Sequence, residues 1–212
     1  MMKPILYSYY RSSCSYRVRI ALALKNIDYE YAQINLVKDG GQQFMPNYQA
    51  LNPQGLVPTL VVNDHVLSQS IAILEYLEEA YQDAPRILPK DLYQRGKVRS
   101  LVQFICSDIQ PIQNMRVLKY VGNTHPDWAK HWVETGFNAL EKELVKCSGK
   151  FCVGDDISMA DIVLVPQVYN AKRFNIDMHK YPKISELDDK LTDLPAFQAA
   201  HPSKQPDCPK DN

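Results

Sequence analysis

Residues 11–24, "RSSCSYRVRIALAL", set Ser12, Ser13 and Cys14 directly ahead of an apolar run, with Arg17 and Arg19 just behind them. Serines in this place most often do no more than cap a helix. The same place also suits sulfur chemistry. The first N–H groups of a helix are unpaired and its dipole is positive there, so an anion is stabilised. A thiol of ordinary pKa near 8.5 ionises more readily at such an end or beside a cation. The thiolate is either that of Cys14 or that of a bound thiol, to which serine hydroxyls can donate.

Two further clusters lie downstream. In "LVPTL" (56–60), proline before a strand is an ordinary boundary, but a cis Val57–Pro58 bond would free the backbone of Val57 to pair with an extended peptide. Gln69 and Ser70 head another apolar run, where capping is again the plain reading and a carboxylate site the chemical one. Thiol, peptide backbone and carboxylate thus find partners in an order that fits one short thiol peptide such as glutathione.

The elements that must position these residues follow from periodicity. Residues 4–9 read as a buried strand and 14–25 as a helix, with Val18, Ala21, Leu22 and Lys25 on one stripe and Ile20 and Leu24 on another. Residues 29–35 alternate as a strand, and "KDGGQQ" (38–43) breaks the pattern. "PTLVV", a turn at Asn63-Asp64 and "HVLS" form a hairpin. Ser70 is expected to cap a helix whose Ile71, Leu74, Leu77 and Tyr81 share a face. The order β-α-β-(α)-β-β-α is thioredoxin-like. "DAPRILPK" (83–90) reads as a linker, and helices are expected over 91–120, 127–147, 159–173 and 184–194. In "ISMAD" (157–161), Ser158 and Asp161 form a capping box with Ile157 as its staple. The tail from His201 reads as irregular. The predicted domains are 1–82, a thioredoxin-like α/β domain, and 91–212, an all-α domain.

Bulk properties narrow the function classes. The chain has 212 residues, 45% apolar and 23% charged, with 24 basic and 24 acidic side chains. A net charge of zero gives no reason to expect nucleic acid or a membrane surface as partner. Five cysteines without a C-x-x-C pair fit neither a disulfide framework nor a zinc site, so reduced thiols and a cytoplasmic location are expected. No signal peptide and no apolar run of membrane-spanning length is evident. The histidines 65, 125, 131, 179 and 201 are scattered, so no metal is expected.

The chain from residue 3 to about 206 resembles the zeta-class glutathione transferase family. The likeness rests on "RSSCSYRVRIALA", "INLVKDGGQQF", "ALNPQGLVPTL", "QSIAILEYLEE", "IQPIQN", "GFNALE" and "CVGDDISMADIVLVPQV". Tyr16 departs from the family's usual Trp or His. The resemblance implies an α/β thioredoxin-like N-terminal domain plus an all-α C-terminal domain, a homodimer, and glutathione as cofactor. Ser12, Ser13 and Cys14 would surround the glutathione sulfur as the catalytic group. Ser15, Tyr16, Arg17, Gln43, Val57, Pro58, Gln69 and Ser70 would complete its binding from the first domain. Gln110, Asn114, Met115 and Arg116 would do so from the second, and Arg173 would meet an acidic substrate. The implied activity is isomerisation of maleylacetoacetate to fumarylacetoacetate in phenylalanine and tyrosine catabolism, with transferase activity on small α-haloacids. Three rivals are a general glutathione transferase, a glutathione-dependent thiol oxidoreductase using Cys14, and a non-catalytic binding module.

Overall fold

A computed structural model describes residues 3–210, except for the side chains of Thr124 and His125. In chain order the elements are β1 (Ile5–Ser8), α1 (Ser13–Leu24), β2 (Glu30–Gln33), α2 (Pro46–Leu51), β3 (Thr59–Val62), β4 (His65–Ser68), α3 (Ser70–Ala80), α4 (Leu92–Gln103), α5 (Met115–Val121), α6 (His125–Cys147), α7 (Met159–Arg173), α8 (Pro182–Thr192) and α9 (Pro195–Ala200).

The chain divides into two compact units. One runs up to Arg86 and takes in the segment from Pro195 onward; the other is Ile87–Leu194. The first is a four-stranded sheet in the order β2-β1-β3-β4. β1 runs parallel to β2 and antiparallel to β3, with Leu6 opposite both Tyr31 and Leu60. This is the expected thioredoxin-like order. α1 is buried on all sides: Val18, Ile20, Ala21 and Leu22 are fully buried, packed against α3 and α9. Each of the larger aliphatic side chains contributes about 1.5–3 kcal/mol by leaving water. Lys25 closes the stripe as a buried cation, 3.0 Å from Glu78 of α3.

From His201 the described tail runs as bends, turns and one short tight helix, the irregular course expected of it. With α9 before it, however, the tail belongs to the first unit and not, as the predicted boundary of 91–212 had it, to the helical one. α9 packs on α1, with Phe197 fully buried. Arg19 donates from Nε to the Ala200 carbonyl at 3.0 Å. A buried guanidinium needs several acceptors, and the chain end supplies one of them.

The second unit is helical. The expected helix over 91–120 is broken: α4 ends at Gln103, a wide turn spans Phe104–Ile109, a tight turn spans Pro111–Gln113, and α5 follows. Pro111 has no N–H to continue the ladder. The Asn114 side chain then caps α5 by accepting from Arg116 N at 3.1 Å. Gly136 of α6 allows the wide turn to come close, since a Cβ there would lie 2.5 Å from Ile109. The capping box forms as expected. Asp161 accepts from Ser158 N at 2.8 Å and from Cys152 N at 2.9 Å.

Candidate active site

The site is built on the first unit. Ser12 is the N-cap of α1, and its Oγ accepts from Ser15 N at 3.2 Å. That bond occupies the third orphan N–H of the helix. The N–H groups of Ser13 and Cys14 remain at the positive end, directed out of the helix. The Ser12 hydroxyl proton is still available to donate, because only its oxygen is used by the cap. Cys14 is partly exposed here.

Ser15 and Tyr16 lie elsewhere. Ser15 is fully buried and Tyr16 is 1% exposed. Tyr16 directs its hydroxyl to the Phe197 carbonyl at 3.5 Å, stacks edge-on against His201, and lies beneath the Arg19 guanidinium. Its side chain therefore belongs to the α1–α9 packing, and the departure from Trp or His does not face the Ser12 turn. Side-chain contact with a ligand, expected at Ser15 and Tyr16, does not fit this burial.

Arg17 points the other way. It is 2% exposed, and its Nη1 donates to Ser70 Oγ at 3.2 Å. Its Nε and Nη2 are buried without a hydrogen-bond partner in the protein. This ties the head of α1 to the head of α3. The N-cap of α3 is Gln69, in a left-handed conformation with φ 70°, and Ser70 is the first helical residue instead of the expected cap. Gln69 donates to Gln54 Oε1 at 2.7 Å. A buried cation, a hydroxyl and unpaired N–H groups converge there, the donor set that a carboxylate needs.

Between the two helix heads lies the loop before β3. The Val57–Pro58 bond is cis, as the residue order predicts. Val57 packs with Tyr9 and Tyr48. The Leu56 carbonyl is held from behind by Tyr48 Oη at 2.6 Å and Asn52 Nδ2 at 2.9 Å, and Thr59 Oγ1 joins both. Gln43 is buried beside this loop. Its Nε2 donates to the Leu36 carbonyl at 3.5 Å and its Oε1 has no partner. Gly41, at φ 108°, leaves the room, because a Cβ there would meet the Gln43 amide at 2.6 Å. Burial pushes the Tyr9 phenol up to about 12 and raises Tyr48 as well, so neither supplies a base near neutral pH.

Sequence reading missed the support: Tyr48, Asn52, Gln54 and Thr59. The cluster "NPQG" at 52–55 was the only sign, and it reads as a turn.

The second unit holds the other expected residues. Gln110 is buried at the end of the wide turn, Asn114 caps α5, Met115 is half-buried and Arg116 exposed. Arg173 is exposed in the last turn of α7, with Asn170 Oδ1 at 3.5 Å from Nη1. Among the described residues no group of three His, Cys, Asp or Glu could hold a metal, and no helix is long and apolar enough to cross a membrane.

The glutathione S-transferase N-terminal domain model matches residues 11–80 and the C-terminal domain model matches 115–200. The chain belongs to the glutathione S-transferase family. It is 55% identical to a maleylacetoacetate isomerase of Rattus norvegicus, over 98% of this chain and 96% of that one. It is 53% identical to a probable maleylacetoacetate isomerase 2 of Drosophila melanogaster, over 98% and 92%. A solved bacterial maleylpyruvate isomerase, a zeta-class transferase, superposes with a TM-score of 0.92 at 41% identity, covering 97% of this chain and all of that one. A maleylacetoacetate isomerase of Anaeromyxobacter dehalogenans with glutathione in its active site superposes with a TM-score of 0.88 at 42% identity, covering 98% of each. The orphaned nitrogens of Arg17, the orphaned Gln43 Oε1 and the two helix heads fit the family's glutathione.

Proposed function

We propose that the protein catalyses the glutathione-dependent cis–trans isomerisation of maleylacetoacetate to fumarylacetoacetate. One observation carries the reading. Within one unit, a capped helix head with serine hydroxyls, a cis-proline loop and a second helix head backed by a buried arginine lie in the order thiol, peptide, carboxylate. Relatives named for this activity, at 53–55% identity over nearly their full length, support it.

Bound glutathione supplies a thiolate able to add reversibly to the conjugated carbon of the cis acid, so that the former double bond can rotate. The protein's residues make that thiolate available. Ser12 donates to the sulfur while Ser15 N–H keeps its oxygen in place, and the N–H groups of Ser13 and Cys14 stabilise the negative charge. Val57 pairs with the peptide backbone. Arg17 and Ser70 hold the γ-glutamyl carboxylate, with Gln69 beside it, and Gln43 stands beside the Val57 loop that meets the peptide. Cys14 is close to the sulfur without being the nucleophile. From the second unit, Gln110, Asn114, Met115 and Arg116 complete the binding, and Arg173 meets a substrate carboxylate.

The same bound thiolate would displace halide from small α-haloacids. The protein works as a cytoplasmic homodimer in phenylalanine and tyrosine breakdown. The deciding experiment is isomerisation of maleylacetone with and without glutathione. Turnover that needs glutathione and survives a chelator is expected, and full turnover without thiol would refute the proposal. Sedimentation at low micromolar concentration tests the dimer, and a monomeric mass would refute it.

A further inference from the structure

We propose that Asp207, in the chain's C-terminal segment, is a positioning residue for the reaction: with Arg19 it clamps the Tyr9–Ser12 turn that aims the Ser12 hydroxyl and the head of α1. The inference rests on the reading of Ser12 as the thiolate donor. It adds to that reading a residue that touches neither glutathione nor substrate.

The turn is held by its backbone. Ser12 N donates to the Tyr9 carbonyl at 3.0 Å. Both polar groups of Tyr10 are gripped from outside the turn. Its N–H donates to Asp207 Oδ2 at 2.9 Å, and its carbonyl accepts from Arg19 Nη2 at 2.9 Å. Arg19 also reaches the Tyr9 carbonyl at 3.3 Å and Ser8 Oγ at 3.2 Å. The other Asp207 oxygen accepts from Tyr31 Oη of β2 at 2.6 Å. The carboxylate therefore bridges the turn to the sheet, and Arg19 bridges it to α9. Bonds to a charged acceptor are shorter and stronger than neutral ones, so a backbone N–H held this way is well fixed. Without Asp207 the Tyr10 peptide would be fixed on one side only, and the Ser12 cap two residues on would lose its defined direction. A displacement of about 1 Å in a positioning group is enough to cost up to a hundredfold in rate.

The test uses the full chain with Asp207→Ala, Asp207→Asn and Tyr31→Phe. The first readout is amide hydrogen exchange over residues 8–14, which needs no ligand. The second is the ultraviolet absorbance of thiolate against pH for glutathione bound to the protein. In Asp207→Ala, exchange is expected to quicken over 8–14. The bound thiol is expected to titrate about one pH unit higher, a tenfold loss of thiolate at pH values below its titration. Turnover then falls about tenfold near neutral pH and recovers at alkaline pH, where the thiol ionises unaided. Loss of folded protein would not produce that recovery. Asp207→Asn keeps one acceptor oxygen and should lie between, as should Tyr31→Phe, which frees the carboxylate on one side; both keep the proposal testable if the alanine variant does not fold. Unchanged exchange over 8–14, or an unchanged titration in all three variants, overturns the proposal. No thiolate signal from the unaltered protein with glutathione overturns the reading of the site, and the proposal with it.

Discussion

Ser12→Ala removes two contributions that can be measured apart. The Ser12 oxygen caps α1 by accepting from Ser15 N at 3.2 Å, and losing a serine cap costs about 1 kcal/mol of stability. A domain of ordinary stability, about 5–15 kcal/mol, stays folded after that loss. On the proposed function the hydroxyl proton also donates to the glutathione thiolate, and a hydrogen bond to a charged partner is worth about 1.5–3 kcal/mol. Turnover should therefore fall by roughly 10- to 150-fold. The assay is steady-state isomerisation of maleylacetone at saturating glutathione near neutral pH, with urea unfolding of the same preparations. Ser12→Thr keeps both the oxygen and the proton and should recover most of the rate. Cys14→Ala should keep substantial turnover with an altered glutathione affinity, because the proposed mechanism gives the nucleophile to glutathione and leaves the Cys14 sulfur only sharing the helix end. If Cys14→Ala is inactive while Ser12→Ala is near normal, the reasoning fails and a covalent role for Cys14 replaces it.

Arg17→Met removes a buried charge whose Nε and Nη2 have no protein partner, so thermal stability should hold or rise while the KM for glutathione rises at least about tenfold; an unchanged KM in steady-state kinetics would refute the carboxylate assignment. Asp161→Ala strands the N–H groups of Cys152 and Ser158 at buried positions and should cost about 2–5 kcal/mol in urea unfolding, a loss below about 1 kcal/mol counting against it. His201 has its pKa lowered below 6.5 by burial first, then by Arg19 and Lys204. In the folded state the neutral ring is favoured, with Nδ1 accepting from Ser203 N at 3.2 Å, so its stabilising contribution is whole above pH 6.5 and is lost as pH falls below it. The drop in melting temperature between pH 7 and pH 5 should shrink in His201→Asn, and an undiminished drop would refute the assignment.

Much of this architecture is legible from local pattern alone. The alternation in residues 29–35 and the hairpin at Asn63-Asp64 match β2 and the β3–β4 pair. The all-round apolar run after Cys14 becomes the buried helix α1, and Ser158 with Asp161 forms the expected capping box at the head of α7. These features depend on neighbours within a few residues, so the chain carries them in its order. The cis Val57–Pro58 bond also falls where the residue order predicts, and the heads of α1 and α3 fall within one residue of their expected places. The break in the helix expected over 91–120 was partly written in Pro111, but periodicity over the surrounding residues masked it.

What the sequence determined by itself, then, was the residue types at each helix head and the strand and helix order that brings them to one unit. The tertiary structure alone decided which way each side chain faces. Arg17 and Arg19 are two residues apart on one helix, so they lie on opposite faces: one meets Ser70, and the other meets the 9–10 turn and Ala200. No spacing rule assigns those partners, because they lie far away along the chain. Tyr16 was turned into the α9 contact by packing, and Asp207 was brought to Tyr10 across 197 residues. Contacts of that separation form only when the whole unit closes, since the cost of burying an arginine or a carboxylate is met by acceptors and donors gathered from several elements at once.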